Sequence, residues 1–156
     1  MIGRFSRMAL ACLAAGAMFT GMSAQAKDVK LTTTDTMIPT GDAGIQLFVR
    51  NKHPAGQTKF APEKILLYVH GATYPSETAF DLQLNGFSWM DYLACRGFDV
   101  HLVDLRGYGR STRPAEMSKP PEENGPIVNT AVAIRDVDSA VNHLLAKRHL
   151  DKLNLL

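Results

Sequence analysis

Two short stretches carry residue types that can do chemistry at the end of a strand. They are Val69-His70-Gly71-Ala72-Thr73-Tyr74-Pro75 and Val103-Asp104-Leu105-Arg106-Gly107-Tyr108-Gly109-Arg110-Ser111. Each follows an apolar run, and each joins ionisable side chains to glycines that free the backbone. Asp104 closes a strand, where a carboxylate accepts hydrogen bonds from the following turn. Gly107 and Gly109 let that turn bend away sharply, and with Arg106 this block reads as scaffold supporting a site. A phosphate loop would need a third glycine at position 112, where Thr112 stands, and a helix directly afterwards, where prolines follow instead. His101 falls within a strand and reads as a partly buried polar residue. No pair of His, Cys or carboxylate residues has metal-ligand spacing, so neither a metal nor a bound cofactor is expected.

The elements that must position these turns follow from periodicity. Lys27 to Gly44 is a polar, Thr-rich lead-in with a short edge strand near Lys30 to Thr34, and Ile45 to Arg50 alternates as a strand does. His53 to Pro62 is a loop. Ile65-Leu66-Leu67-Tyr68-Val69 is a continuous apolar run, the pattern of a strand covered on both faces. Gly71 to Phe87 reads as a long loop. Ser88-x-x-Asp91 is a capping box opening a helix from Trp89 to Arg96, ended by Gly97. Phe98 to Leu105 is the next strand, and Pro114 to Asn129 an irregular, proline-rich loop. Asn129 caps a helix from Thr130 to Lys147, whose apolar stripe is Ala133, Val137, Ala140, Val141, Leu144 and Leu145. A last apolar run, Lys152 to Leu156, reads as a strand cut short. Strands alternating with helices predict an α/β fold: a mostly parallel open sheet with helices on both faces.

Composition narrows the function classes. A chain of 156 residues, 46% apolar and 21% charged, fits one globular domain. Arg4 and Arg7, the apolar stretch Met8 to Phe19, and Ala24-Gln25-Ala26 have the form of a secretory signal peptide over residues 1–26. That stretch is shorter than the ~20 residues a membrane-spanning helix needs. The reading places the protein in the periplasm or outside the cell, with a mature start near Lys27 and membrane contact only during export. Of 17 Lys and Arg, loss of Arg4 and Arg7 leaves 15 against 15 Asp and Glu. A neutral mature chain gives no reason to expect nucleic acid as a partner. Cys12 leaves with the signal. Cys95, then the sole mature cysteine, reads as a small core residue without an internal disulfide partner.

The motifs together resemble the N-terminal half of an α/β-hydrolase fold enzyme. The resemblance rests on a strand ending in His70-Gly71, on Trp89 followed by Leu93-Ala94-x-Arg96-Gly97-Phe98, on Asp104 to Ser111, and on Arg135-Asp136-Val137. It covers about Ile45 to Leu156, and order and spacing are more specific than any single motif. It implies a serine hydrolase acting on ester or related acyl bonds. The turn after the first strand would supply one of two oxyanion-hole donors, here the backbone N–H of Ala72 or of Thr73, with Gly71 required because a turn this tight tolerates no Cβ. His70 would brace that loop, since the family's catalytic histidine comes last in the chain. Tyr74, Phe80, Phe87 and Trp89 would line an acyl pocket or form an apolar lid over the sheet edge. Asp136 would be structural.

The same resemblance places the nucleophile in a Gly-x-Ser-x-Gly elbow directly after the strand that reads Leu153 to Leu156. The sequence contains no such elbow, and the acid and histidine that follow it are absent too. The expectation is therefore a fragment without its triad, catalytically inactive as it stands and prone to aggregate through an uncovered sheet. A non-catalytic, hydrolase-like binding module is the alternative. The motifs leave the substrate open: Ala72-Thr73 after Gly71 is neither the Gly-rich turn of lipase-like esterases nor the dehalogenase pattern, and the proline-containing turns of epoxide hydrolases and proline iminopeptidases also fit badly.

Overall fold

The computed structural model describes residues 29–156. The signal-peptide reading over residues 1–26 and the start at Lys27 lie outside the described residues. Five strands form one open sheet in the spatial order β1-β2-β4-β3-β5. They are β1 (Leu31–Pro39), β2 (Gln46–Pro54), β3 (Ile65–Val69), β4 (Asp99–Val103) and β5 (Asn154–Leu155). β1 and β2 form an antiparallel hairpin registered from Leu31↔Pro54 to Pro39↔Gln46, and β2 pairs antiparallel with β4. β3 is parallel to both β4 and β5. The sheet is therefore mixed, with its parallel half made by β4, β3 and β5.

The two N-terminal strands are longer than their side-chain patterns predict. β1 runs to Pro39 rather than Thr34, and β2 runs through His53 to Pro54. The reason is pairing: Thr32 and Thr33 face His53 and Lys52, while Asn51 and Lys52 also pair with His101 and Val100 of β4. Such a ladder holds polar residues in strand geometry that periodicity alone does not flag. A threonine-rich outer strand also keeps the sheet edge polar.

Because side chains alternate across a strand, β4 sends residues to both faces, and all five are buried. On one face Leu47, Val49, Leu67 and Val103 pack with Ile38 beneath Ala140 and Leu144. Those two belong to the long helix Thr130–Arg148, capped by the Asn129 side chain, which accepts from the Val132 N–H at 3.1 Å. On the other face Phe48, Val100 and Leu102 meet Phe80, Met90 and Ala94. These come from two short helices, α1 (Ser76–Phe80) and α2 (Trp89–Ala94), so the Thr130–Arg148 helix is α3.

The predicted capping box of α2 is present: Ser88 accepts from the Asp91 N–H, and Asp91 accepts from the Ser88 N–H. α2 ends at Ala94 and not at Arg96, because the Arg96 and Gly97 amides bond Leu93 and Ala94, three residues back, and tighten the last turn. Gly97 follows with φ +81°, as its glycine implied. α1 was not expected; it lies inside the stretch Gly71–Phe87 that the sequence marks as loop.

At the N-terminal end of β4, away from the two turns, Asp99 and His101 are wholly buried. Asn51 Nδ2 donates to Asp99 at 2.7 Å, Arg148 Nη2 donates to it at 2.9 Å, and His101 Nε2 lies 3.0 Å from it. His101 thus gives its Nε2–H to Asp99, and its Nδ1 has no partner. An unpartnered lone pair is tolerable in a dry core. A protonated Nδ1 without an acceptor is costly, so burial lowers the His101 pKa although Asp99 pulls it the other way. For Asp99, burial pushes upward, but His101, Asn51 and Arg148 outweigh it and hold the carboxyl at about 2.

Linkage fixes the sign of the pH dependence. A histidine depressed in the fold gains its proton first in the unfolded chain, so stability falls as pH drops below ~6.5. A depressed carboxyl adds about 2 kcal/mol above pH ~4, lost as pH falls towards 2. We expect urea midpoints to decline from pH 7 to 5 and more steeply below 4. His101→Asn should flatten the upper part, whereas an equal upper slope in that variant would assign it to other groups.

Candidate active-site turns

β3 and β4 end in register at Val69↔Val103, which places the His70 turn and the Asp104 turn side by side at the carboxyl edge of the sheet. That is where open α/β sheets gather ligands. β5 reaches the same edge: the Val69 N–H donates to the Leu156 carbonyl at 3.0 Å, and the Leu156 N–H donates to the Leu67 carbonyl at 3.0 Å.

His70 is buried beneath its turn. Its Nε2 accepts from the Leu105 backbone N–H at 3.0 Å. The proton must then be on Nδ1, which donates to the Gly71 carbonyl at 2.6 Å. With its lone pair committed to a backbone amide, His70 has none free to take a proton from a nucleophile. The geometry is that of a brace between the two turns. Gly71, Ala72, Thr73 and Tyr74 are exposed above it. The Ala72 carbonyl accepts from the Tyr108 hydroxyl at 2.6 Å. Among the described residues, the N–H groups of Ala72 and Thr73 donate to no protein acceptor.

The expectation that Gly71 tolerates no Cβ is corrected. Its φ is not in the left-handed region, and a Cβ built there meets nothing within 4 Å. The demanding glycines lie in the second turn. A Cβ on Gly107, at φ +81°, would come within 2.7 Å of Met117 Sδ. One on Gly109, at φ +47°, would fall 2.0 Å from Asp104 Oδ2.

Asp104 does more than its sequence position implied. Its Oδ2 accepts from the Arg110 N–H at 3.1 Å, within the following turn as expected. Its Oδ1 accepts from the Ser76 N–H at 2.8 Å, at the start of α1. One buried carboxylate therefore ties the two turns together. Ser111 Oγ continues the stitching by accepting from the Phe48 N–H at 2.7 Å, on β2. Arg106 points the other way, into Asp136 of α3 and out to Asp42. The hydrogen bond to Asp136 raises its pKa further, with burial opposing and Asp42 adding to the rise.

The aromatic residues divide. Phe80 is core, 1% exposed and stacked on Tyr68 with ring centroids 4.3 Å apart. It is placed with the scaffold, not among pocket-lining side chains. Trp89 is 53% exposed, meeting Phe80 edge-on at 5.2 Å, and Tyr74 is 66% exposed. Phe87 is half-buried, its carbonyl and N–H both bonded to Leu84 across the Asn85-Gly86 turn. Cys95 follows α2, and burial raises the pKa of its thiol, with Asp91 adding to the effect and Arg96 opposing it. His101, expected to be partly buried, is wholly so.

Sequence reasoning passed over Tyr108 as a contact to the first turn. The available signal was a large polar aromatic held between two glycines. It also missed the ion network that anchors α1, in which Arg50 bridges Asp35, Glu77 and Asp81, Lys52 bridges Asp81 and Asp91, and Arg110 reaches Asp35 and Glu77.

The strand order, the paired turns and the helices on both faces define a partial α/β-hydrolase fold. Solved structures agree. A hypothetical protein from Pseudomonas aeruginosa is similar with a TM-score of 0.57 at 14% identity, over 81% of this chain and 34% of its own. The esterase Est22 is similar with a TM-score of 0.54 at 15% identity, over 97% and 43%. A post-proline cleaving enzyme from Rickettsia typhi is similar with a TM-score of 0.52 at 14% identity, over 80% and 16%. The chain thus spans less than half the length of each, and at these identities the likeness is one of fold. No protein-family model and no curated protein matches it.

Proposed function

We propose that this chain is the N-terminal part of an exported hydrolase that cleaves ester or related acyl bonds through a serine nucleophile. One observation carries the reading: among the described residues the adjacent backbone amides of Ala72 and Thr73, in the braced turn that follows β3 at the carboxyl edge of the sheet, donate to no protein acceptor. An amide with no protein acceptor, fixed by a braced turn, can meet an oxyanion without first breaking a bond of its own. Such a donor is worth about 3 kcal/mol to acyl transfer. In the fold the nucleophile follows the strand that β5 represents, close to these amides. The sequence carries no Gly-x-Ser-x-Gly, so the 156-residue chain itself should not turn over a nitrophenyl ester.

The test uses an antiserum against residues 29–156 to isolate the native product from cells of the source organism. A fluorophosphonate should label it on a serine within a Gly-x-Ser-x-Gly peptide, and its amino terminus should map near Lys27. A native product that takes no label and cleaves no ester would replace this reading with a non-catalytic, hydrolase-like module.

A further inference from the structure

Two side chains grip the carbonyl oxygens of two successive peptide units in the first turn. His70 Nδ1–H holds the Gly71 carbonyl at 2.6 Å, and the Tyr108 hydroxyl holds the Ala72 carbonyl at 2.6 Å. In a trans peptide the carbonyl and the following N–H point in opposite directions within one rigid plane. Fixing the Gly71 carbonyl therefore aims the Ala72 N–H away from His70, and fixing the Ala72 carbonyl aims the Thr73 N–H away from Tyr108. Among the described residues neither of these amides donates to a protein acceptor, and neither do those of Gly71 and Tyr74 on either side. What sets Ala72 and Thr73 apart is that the carbonyl of each one's own peptide plane is held by a side chain.

We propose that Tyr108 is a positioning residue that orients the Thr73 N–H, while His70 does the same for the Ala72 N–H. The inference rests on the hydrolase reading above for its catalytic meaning and on geometry alone for the clamp. The turn needs such a clamp because Gly71 to Tyr74 is exposed. In an exposed turn a peptide plane is free to rotate, and a donor that rotates loses the preorganisation that makes it useful.

Tyr108 is itself held. Its N–H donates to the Leu105 carbonyl at 3.0 Å, and its carbonyl accepts from the Ser111 N–H at 3.0 Å. Its ring lies against that of His70, with centroids 4.5 Å apart and a tilt of 52°. The left-handed glycines on either side let the chain present the hydroxyl to the neighbouring turn. Asp104 fixes the amide next to Gly109. Orientation thus passes from Asp104 through the second turn to Tyr108 and across to Thr73. This gives the Gly-Tyr-Gly segment a role that bending alone would not require of a tyrosine.

Tyr108→Phe keeps the ring and its packing while removing the O–H. In isotope-labelled 156-residue chain, the Ala72 carbonyl carbon and Thr73 amide nitrogen resonances should shift, and exchange broadening should appear at Thr73. The Leu105 amide, held by His70, should stay in place and report an intact fold. Unchanged Ala72 and Thr73 signals would overturn the clamp. In the native hydrolase the same substitution should lower kcat about tenfold or more with KM unchanged, a smaller loss than deleting an oxyanion donor outright. An unchanged kcat in an enzyme that turns over ester and, in a separate sample, takes the fluorophosphonate on its serine would overturn the catalytic role. A native product that takes no fluorophosphonate would sink the hydrolase reading, and the catalytic role with it, while the resonance shifts would still report the clamp.

Discussion

Asp136→Ala is expected to lower the unfolding free energy by about 3–5 kcal/mol. Asp136 is wholly buried in α3. Its Oδ2 accepts from the Arg106 backbone N–H at 3.0 Å, and its carboxylate takes Nε at 3.0 Å and Nη2 at 2.5 Å. It therefore satisfies a backbone amide and a guanidinium together, where the second turn leaves β4. Alanine would strand both. Arg106 cannot shed its charge, because guanidinium stays protonated at any working pH. Its remaining anion, Asp42, is 37% exposed and offers a weaker, solvent-screened contact. The loss should appear as a lower urea midpoint at an unchanged m-value. Replacing both partners, Arg106→Met with Asp136→Leu, should recover most of it, since the main cost is the uncompensated charge. A single-variant loss under about 1 kcal/mol would mean that water reaches Arg106 and the bridge acts as a surface pair.

This bridge also shows what the sequence discloses and what it withholds. Asp136 interrupts an otherwise apolar stripe, and the resemblance marks it as structural, but neither names Arg106 as its partner 30 residues earlier. Elements set by local signals are legible. β3 runs over Ile65–Val69 as predicted, because an apolar run is bracketed by Pro62 and by His70-Gly71, and α3 opens at Thr130 behind its Asn129 cap. Elements set by distant partners are not. The Ser76 N–H at the start of α1 bonds Asp104, 28 residues away, and no local side chain caps the helix. Five residues of helix also give too short a window for periodicity to register. Phe80 has the composition of a pocket residue, and only the packing of α1 on Tyr68 turns it inward. The two turns themselves were visible as motifs. Which glycine in them is indispensable depends on which side a neighbouring carboxylate occupies, and no spacing reveals that.

Gly109 is that glycine, and Gly109→Ala should cost about 3 kcal/mol from two separable sources. The first is backbone strain: at φ +47° an L-residue with a Cβ pays roughly 1–2 kcal/mol in the left-handed region. The second is the clash with Asp104, whose Oδ2 lies 2.0 Å from the new Cβ. Asp104 cannot retreat cheaply, because its two oxygens hold the Arg110 and Ser76 amides, and hydrogen bonds to a charged acceptor contribute about 1.5–3 kcal/mol. Two further variants separate the sources. Gly109→Asn relieves the strain, since asparagine tolerates left-handed geometry, but keeps the Cβ and should recover only part of the loss. Asp104→Ala removes the carboxylate, so Gly109→Ala made in that background should cost only the strain and the tight contact of the new Cβ with Pro75 Cβ at 3.0 Å. The coupling between the two sites should then exceed about 1 kcal/mol, as residues in direct contact show. Strictly additive costs would mean that the Asp104 carboxylate moves aside freely, and that it does not hold the second turn in the geometry that presents Tyr108 to Ala72.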